Sequence, residues 1–150
     1  MGASAQHAID WLAAAAPDPS ACRREWERSP TGVATLPAGV RWDVLIVPGP
    51  LGRTTLDVLL DSPRTRPGPV LADHGGRRVG FFVPTGTAAR WVGKNTRCVG
   101  PGTWIVVPHP TRSLPRSATP TWLVAPDGSG RLNDPATLEL ALHEAAADYL

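Results

Sequence analysis

Cysteine is nearly absent: Cys22 and Cys98 are the only two in the chain. They stand far apart and belong to no metal-binding pair, so buried free thiols are the simplest reading. Long hydrophobic runs are missing as well. No apolar stretch approaches the ~20 residues that cross a bilayer, and the start of the chain lacks the basic-then-apolar order of a secretory signal. The sequence therefore predicts a cytoplasmic protein with no membrane contact. Lysine is reduced to Lys94, the other fourteen of fifteen basic residues being arginine. Arginine suits bidentate phosphate or carboxylate recognition and stacking on bases, although a coding bias towards Arg, Ala, Pro and Gly gives the same composition. There is no P-loop, no dinucleotide fingerprint, no nucleophile elbow and no internal repeat.

What is present fits one domain with one core: 150 residues, 42% of them apolar. Within 1–150 the chain divides into an N-terminal helical segment (1–30), a sheet core (31–133) and a C-terminal helix (134–150). Charge follows the same division. Residues 31–133 hold 12 basic and 5 acidic residues, while 134–150 hold four acids and no Lys or Arg. A basic middle lies between acidic ends.

Ala3 to Ala16 reads as a helix with Ser4 as cap, and Ser20 to Arg28 as a second anchored by Trp26. Gly32–Pro37 and Arg41–Pro48 read as strands joined by a turn at Ala38–Gly39. A helix follows in which Leu56, Leu59 and Leu60 share one face. Pro69–Asp73 and Val79–Val83 form a hairpin, because the glycines between them tolerate positive φ and allow a tight turn. The turn Pro84–Thr87 caps a short helix ending at Trp91 and Val92, and Gly93–Gly102 is a surface loop or ragged strand. Thr103–Val107 and Thr121–Ala125 are further strands, joined through a proline-rich linker expected to be the most mobile part of the molecule. Asp134 and Pro135 start the last helix, with Leu138, Leu142, Ala145 and Tyr149 on one stripe. The prediction is an α/β (α+β) domain with a mixed, mostly antiparallel sheet of about six strands and flanking helices.

Carboxylates and histidines are the currency of metal chemistry, and the candidates are Asp43, Asp73, His74 and His109. No spacing forces them together, and an exposed turn explains Asp73 and His74 equally well. Arg77, Arg78, Arg90, Lys94 and Arg97 form a basic strip around the hairpin and its neighbouring loops. With Trp91 and Trp104 close by in sequence, such a strip suits a single-stranded backbone and its bases; the alternative is two core tryptophans and a solvated arginine rim.

A succession of short segments, Val33–Gly39, Trp42–Pro48 with Gly52, Gly68–Val70, Gly76–Arg77 before Phe81–Val83, Arg97–Gly102, Trp104–Pro108 and Trp122, resembles the N-terminal domain of bifunctional DNA primase/polymerases of the archaeo-eukaryotic primase superfamily. The likeness covers about residues 31–126. It implies an RNA-recognition-like sheet on which acidic residues hold divalent metal for nucleotidyl transfer. At the positions the resemblance assigns to those acids this chain has Ile46 and Pro48, leaving Asp43 as the sole carboxylate of the strand. The family's histidine after a glycine pair is replaced by Arg77 and Arg78, and no later acid stands near Asn95–Arg97. Hydrophobic or cationic side chains cannot hold metal against a triphosphate.

The reading is a catalytically inactive primase/polymerase-like domain. It binds single-stranded nucleic acid or nucleotide through Arg77, Arg78, Lys94 and Arg97, with Trp104 for stacking and no cofactor. One alternative is a protein-interaction or regulatory module working through its acidic C-terminal helix. The other is an active, Mg²⁺- or Mn²⁺-dependent nucleotidyltransferase with Asp43, Asp73 and His74 as a rearranged site.

Overall fold

The computed structural model describes residues 3–29, 32–112 and 120–147, and their elements follow the apolar pattern of the chain. Helices α1 (Ala3–Ala13) and α2 (Pro19–Arg28) lead into strands β1 (Val33–Pro37) and β2 (Asp43–Pro48). Helix α3 (Gly49–Asp61), strands β3 (Val70–Asp73) and β4 (Arg78–Val83), and the single turn of α4 (Thr87–Arg90) come next. Strands β5 (Arg97–Val99), β6 (Trp104–Pro108) and β7 (Thr121–Val124) precede helix α5 (Pro135–Ala147). The α+β class is as expected.

Local chemistry sets the ends. Asp18 caps α2 by accepting the Ala21 N–H at 3.2 Å, with Pro19 at the first helical position. Ser4 lies inside α1 and is not its cap, and the helix stops at Ala13 because the chain tightens into turn bonds before Pro17. Asp134 opens α5 as expected, accepting the N–H and the hydroxyl of Thr137 at 3.0 and 2.9 Å. Leu138, Leu142 and Ala145 are buried, whereas Tyr149 and the linker residues 113–119 lie outside the described residues. Leu56 and Leu59 face the core, but Leu60 does not and is 56% exposed.

The strands form two antiparallel sheets, with order β5-β2-β4-β3-β7 in one and β1-β6 in the other. The turn at Ala38–Gly39 therefore does not close a hairpin. Gly39, at φ 88°, turns the chain out of the small sheet and into the large one. The seventh strand, β5, lies within the segment expected to be loop or ragged strand, and pairs with β2. The run β2-α3-β3-β4-α4-β5 is a βαββαβ unit whose strands lie in spatial order fourth, first, third, second. This is the split-βαβ arrangement of ferredoxin-like folds, and a four-stranded sheet is also the core of RNA-recognition modules.

Side-chain alternation along β2 divides the core in two. Leu45 and Val47, with Val70, Val79 and Phe81, pack against Leu56 and Leu59 of α3 and Leu138 and Leu142 of α5. Val44, Leu71, Phe82 and Val99 point the other way, under a roof made by α1, α2 and the β1–β6 ribbon. Trp26 and Trp42 are fully buried on that side of the core; Trp42 lies 4.5 Å from Phe82, and Trp26 donates its indole N–H to the Val107 carbonyl at 3.1 Å. Burying each such ring contributes on the order of 2–3 kcal/mol. The N-terminal helices thus share the sheet's core.

Candidate nucleic-acid interface

The roof covers only part of the sheet. Val44 and Val99 are buried beneath it, but on the same face Ile46 is half-buried and Pro48, Arg78 and Arg97 are exposed. Register places these side chains in two rows. Arg97 is opposite Ile46, which is opposite Gly80; Pro48 is opposite Arg78, which is opposite Asp73. With strands ~4.8 Å apart and ~3.3 Å per residue, Arg78 and Arg97 stand about 12 Å apart at their backbones. Gly80 has no side chain and leaves a dip between them; a Cβ there would come within 2.9 Å of Val44 Cγ1.

The hairpin tip adds charge to this end. Gly75 and Gly76 take φ 67° and 88° in the 3₁₀ turn His74–Gly76, as the glycine pair predicted. Arg77 follows, exposed, with its carbonyl accepting the Gly49 N–H of α3 at 2.7 Å. That bond docks the start of α3, which has no side-chain cap, against the turn. Arg53, in the first turns of α3, lies over Gly76, whose added Cβ would meet Arg53 Nη2 at 2.7 Å. Arg53 was not part of the sequence-derived strip; its signal was a position just inside a helix beginning Gly-Pro after a strand. Lys94 is exposed on the loop before β5, beside Asn95, which holds φ 61°. Pro48, Pro50, Leu51, Asn95 and Ala146 line a shallow, largely apolar depression of about 450 Å³ at this end.

The tryptophans do not join it. Trp91 is half-buried against the α3 side of the core, its indole N–H donated to Thr96 Oγ1 at 2.9 Å. Trp104 is 55% exposed, yet it projects from the outer face of the β1–β6 ribbon, away from Ile105 and Val107, which pack inward. It therefore lies on a different surface from Arg78 and Arg97.

Nor do the carboxylates converge. Asp43 is fully buried, and its Oδ2 accepts the N–H groups of Gly86 and Ala88 at 3.1 and 2.9 Å, tying the β4–α4 turn to β2. Asp73 is level with Pro48, five residues further along β2, so roughly 17 Å of strand separates the two acids. One metal with ligands at ~2.5 Å cannot bridge that span. His74 belongs to the hairpin turn, and its side chain is outside the described residues. His109 is committed elsewhere: Nδ1 accepts the N–H groups of Thr111 and Arg112 at 3.1 and 3.2 Å, and the ring packs edge-on against Trp26. Burial, then the nearby Arg112 charge, lower its pKa. Burial raises Cys22 to about 11 and Cys98 to about 12, so both free thiols stay protonated near neutrality.

At the open end the residues are Ile46, Pro48, Arg78 and Arg97, with Asp73 the one carboxylate among the described residues of those two rows. This donor set does not fit a divalent cation. It fits an anion. No protein-family model, curated protein or solved structure matches the chain. Among the described residues no helix is long and apolar enough to cross a membrane.

Proposed function

We propose that this chain is a primase/polymerase-like domain without nucleotidyl-transfer chemistry, which binds single-stranded nucleic acid or a nucleotide at the open end of its five-stranded sheet, in a cytoplasmic setting. One observation carries the reading. The positions where the resemblance expects metal-holding acids, Ile46 and Pro48, are apolar and lie in register with Arg97 and Arg78. The βαββαβ order supports the same lineage. Guanidinium groups at Arg53, Arg77, Arg78 and Arg97 engage phosphates, and the apolar depression beside Asn95 receives a base or sugar.

The test is fluorescence anisotropy of labelled single-stranded DNA and RNA at two salt concentrations, with and without Mg²⁺. Binding is expected to weaken with salt. In Arg78→Glu/Arg97→Glu the log–log salt slope should shrink by about 1.4, the loss of two single-strand phosphate contacts. Absence of salt-sensitive binding would sink the reading.

A second reading, partner capture through α5, is favoured by Leu140. This side chain is 70% exposed on the helix's outer face between exposed Glu139 and Glu144. It predicts capture of a basic partner independent of nucleic acid, abolished by charge reversal at Glu139 and Glu144.

A further inference from the structure

At the far end of α3 the fold builds a second basic concavity. The α3–β3 loop and the β7–α5 loop face each other across two adjoining hollows of about 320 and 270 Å³, near the lower limit for ligand pockets. Arg66 and Arg131 line both, and Arg64 lines the smaller. Leu60, Pro69, Val124 and Pro126 give the larger hollow apolar walls, which accounts for the exposure of Leu60. The walls are fixed by a buried staple. Asn133 Oδ1 accepts the Gly68 N–H at 2.9 Å, and its Nδ2 donates to the carbonyls of Pro69 and Phe82, each at 3.0 Å.

Two carboxylates also border the cleft, and both are engaged. Asp127 pairs with Arg131 at 3.8 Å and accepts the Ser129 N–H at 2.9 Å, while Asp134 is held by Thr137. Among the described residues neither Arg64 nor Arg66 has an acidic partner. Two unpaired guanidinium forks thus overlook a hollow that continues into an apolar one.

We propose that this cleft binds an oxyanion, a phosphate or a carboxylate, carried on a compact apolar body. The oxyanion sits in the smaller hollow on Arg64, Arg66 and Arg131, and the body lies in the larger against Leu60 and the prolines. The thirteen residues of α3 span about 20 Å at 1.5 Å per residue, so the cleft is separate from the open sheet end and independent of any role there.

An NMR titration of the full chain with inorganic phosphate, phenyl phosphate and benzoate tests this. Saturable amide shifts are expected at Thr65, Arg66, Leu132 and Thr137 with phenyl phosphate or benzoate, the better of the two identifying the oxyanion. Inorganic phosphate should bind at least about tenfold more weakly than the better probe, lacking the apolar body. Arg66→Met should weaken that probe about tenfold, with Arg64→Met as a second variant on an exposed chain, while Arg78→Met leaves it unchanged. No saturable shift at those amides with any probe at millimolar concentration, inorganic phosphate binding as tightly as phenyl phosphate and benzoate, or a loss that follows Arg78 would each overturn the proposal.

Discussion

Replacing Asp43 separates a structural carboxylate from a catalytic one. In Asp43→Ala the N–H groups of Gly86 and Ala88 lose a charged acceptor at 3.1 and 2.9 Å. Hydrogen bonds to a charged group contribute about 1.5–3 kcal/mol each, so the gross loss is about 3–6 kcal/mol. Part returns, because the carboxylate is fully buried and its Oδ1 has no partner, so its desolvation cost disappears with it. The net destabilisation is expected at about 2–4 kcal/mol, a large share of the ~5–15 kcal/mol typical of a domain. Asp43→Asn keeps an acceptor for both amides and should cost about 1 kcal/mol. Urea unfolding followed by tryptophan fluorescence would read this as a midpoint lowered by about 1–2 M for Ala and about 0.5 M for Asn, at a slope near 2 kcal/mol/M. Hydrogen exchange at the Gly86 and Ala88 amides should rise in the Ala variant, with affinity for single strands unchanged in the Asn variant. An Ala variant within ~0.5 kcal/mol of the parent, or an Asn variant as damaged as Ala, would refute the reasoning.

Asn133→Ala leaves the Gly68 N–H without its partner, while the Pro69 carbonyl keeps the Phe82 N–H at 3.1 Å and the Phe82 carbonyl keeps the Asn133 backbone N–H at 2.8 Å. One buried orphan predicts a loss of about 1–3 kcal/mol, measured by the same unfolding experiment. His109 makes stability depend on pH. Its folded pKa lies below the ordinary 6.5, so the unfolded chain binds the proton more readily. Its contribution is therefore fully present above the ordinary value and declines as pH falls through 6.5 towards the lowered folded value. A pH series of thermal melts should show this decline, and His109→Asn should flatten it.

Much of the fold was legible where one strand carries its own instructions. Val44–Pro48 and Val79–Val83 are apolar runs bounded by Gly or Pro, and Asp134–Pro135 is a start signal that works through bonds within four residues. Pairing was less legible. β1 joins β6 across roughly seventy residues and not β2 across a visible turn, and nothing local distinguishes the two outcomes. Of the candidate basic strip, Arg78 and Arg97 share a sheet face. The sequence was misleading in its aromatics, because Trp91 and Trp104 are near the strip in sequence but project from other surfaces. Asp43 was a candidate ligand by residue type alone. That its partners are the backbone of Gly86 and Ala88 depends on a turn more than forty residues away.

The ribbon that roofs the sheet also sets an order of assembly. Strands β3 and β4 meet between Asp73 and Arg78 across a five-residue separation, whereas β1 and β6 meet between Pro37 and Trp104 across 67. Closing the longer loop costs about 2 kcal/mol more in chain entropy, and that cost precedes the β1–β6 pairing. The β3–β4 hairpin is therefore the expected nucleus and the β1–β6 pairing a later step, an order that φ-values at Val79 and Val107 would check. Phe82 and Trp42 share their core cluster with Leu12 and Trp26 of the two N-terminal helices, so a species that lacks this ribbon is expected to expose both rings and to aggregate more readily.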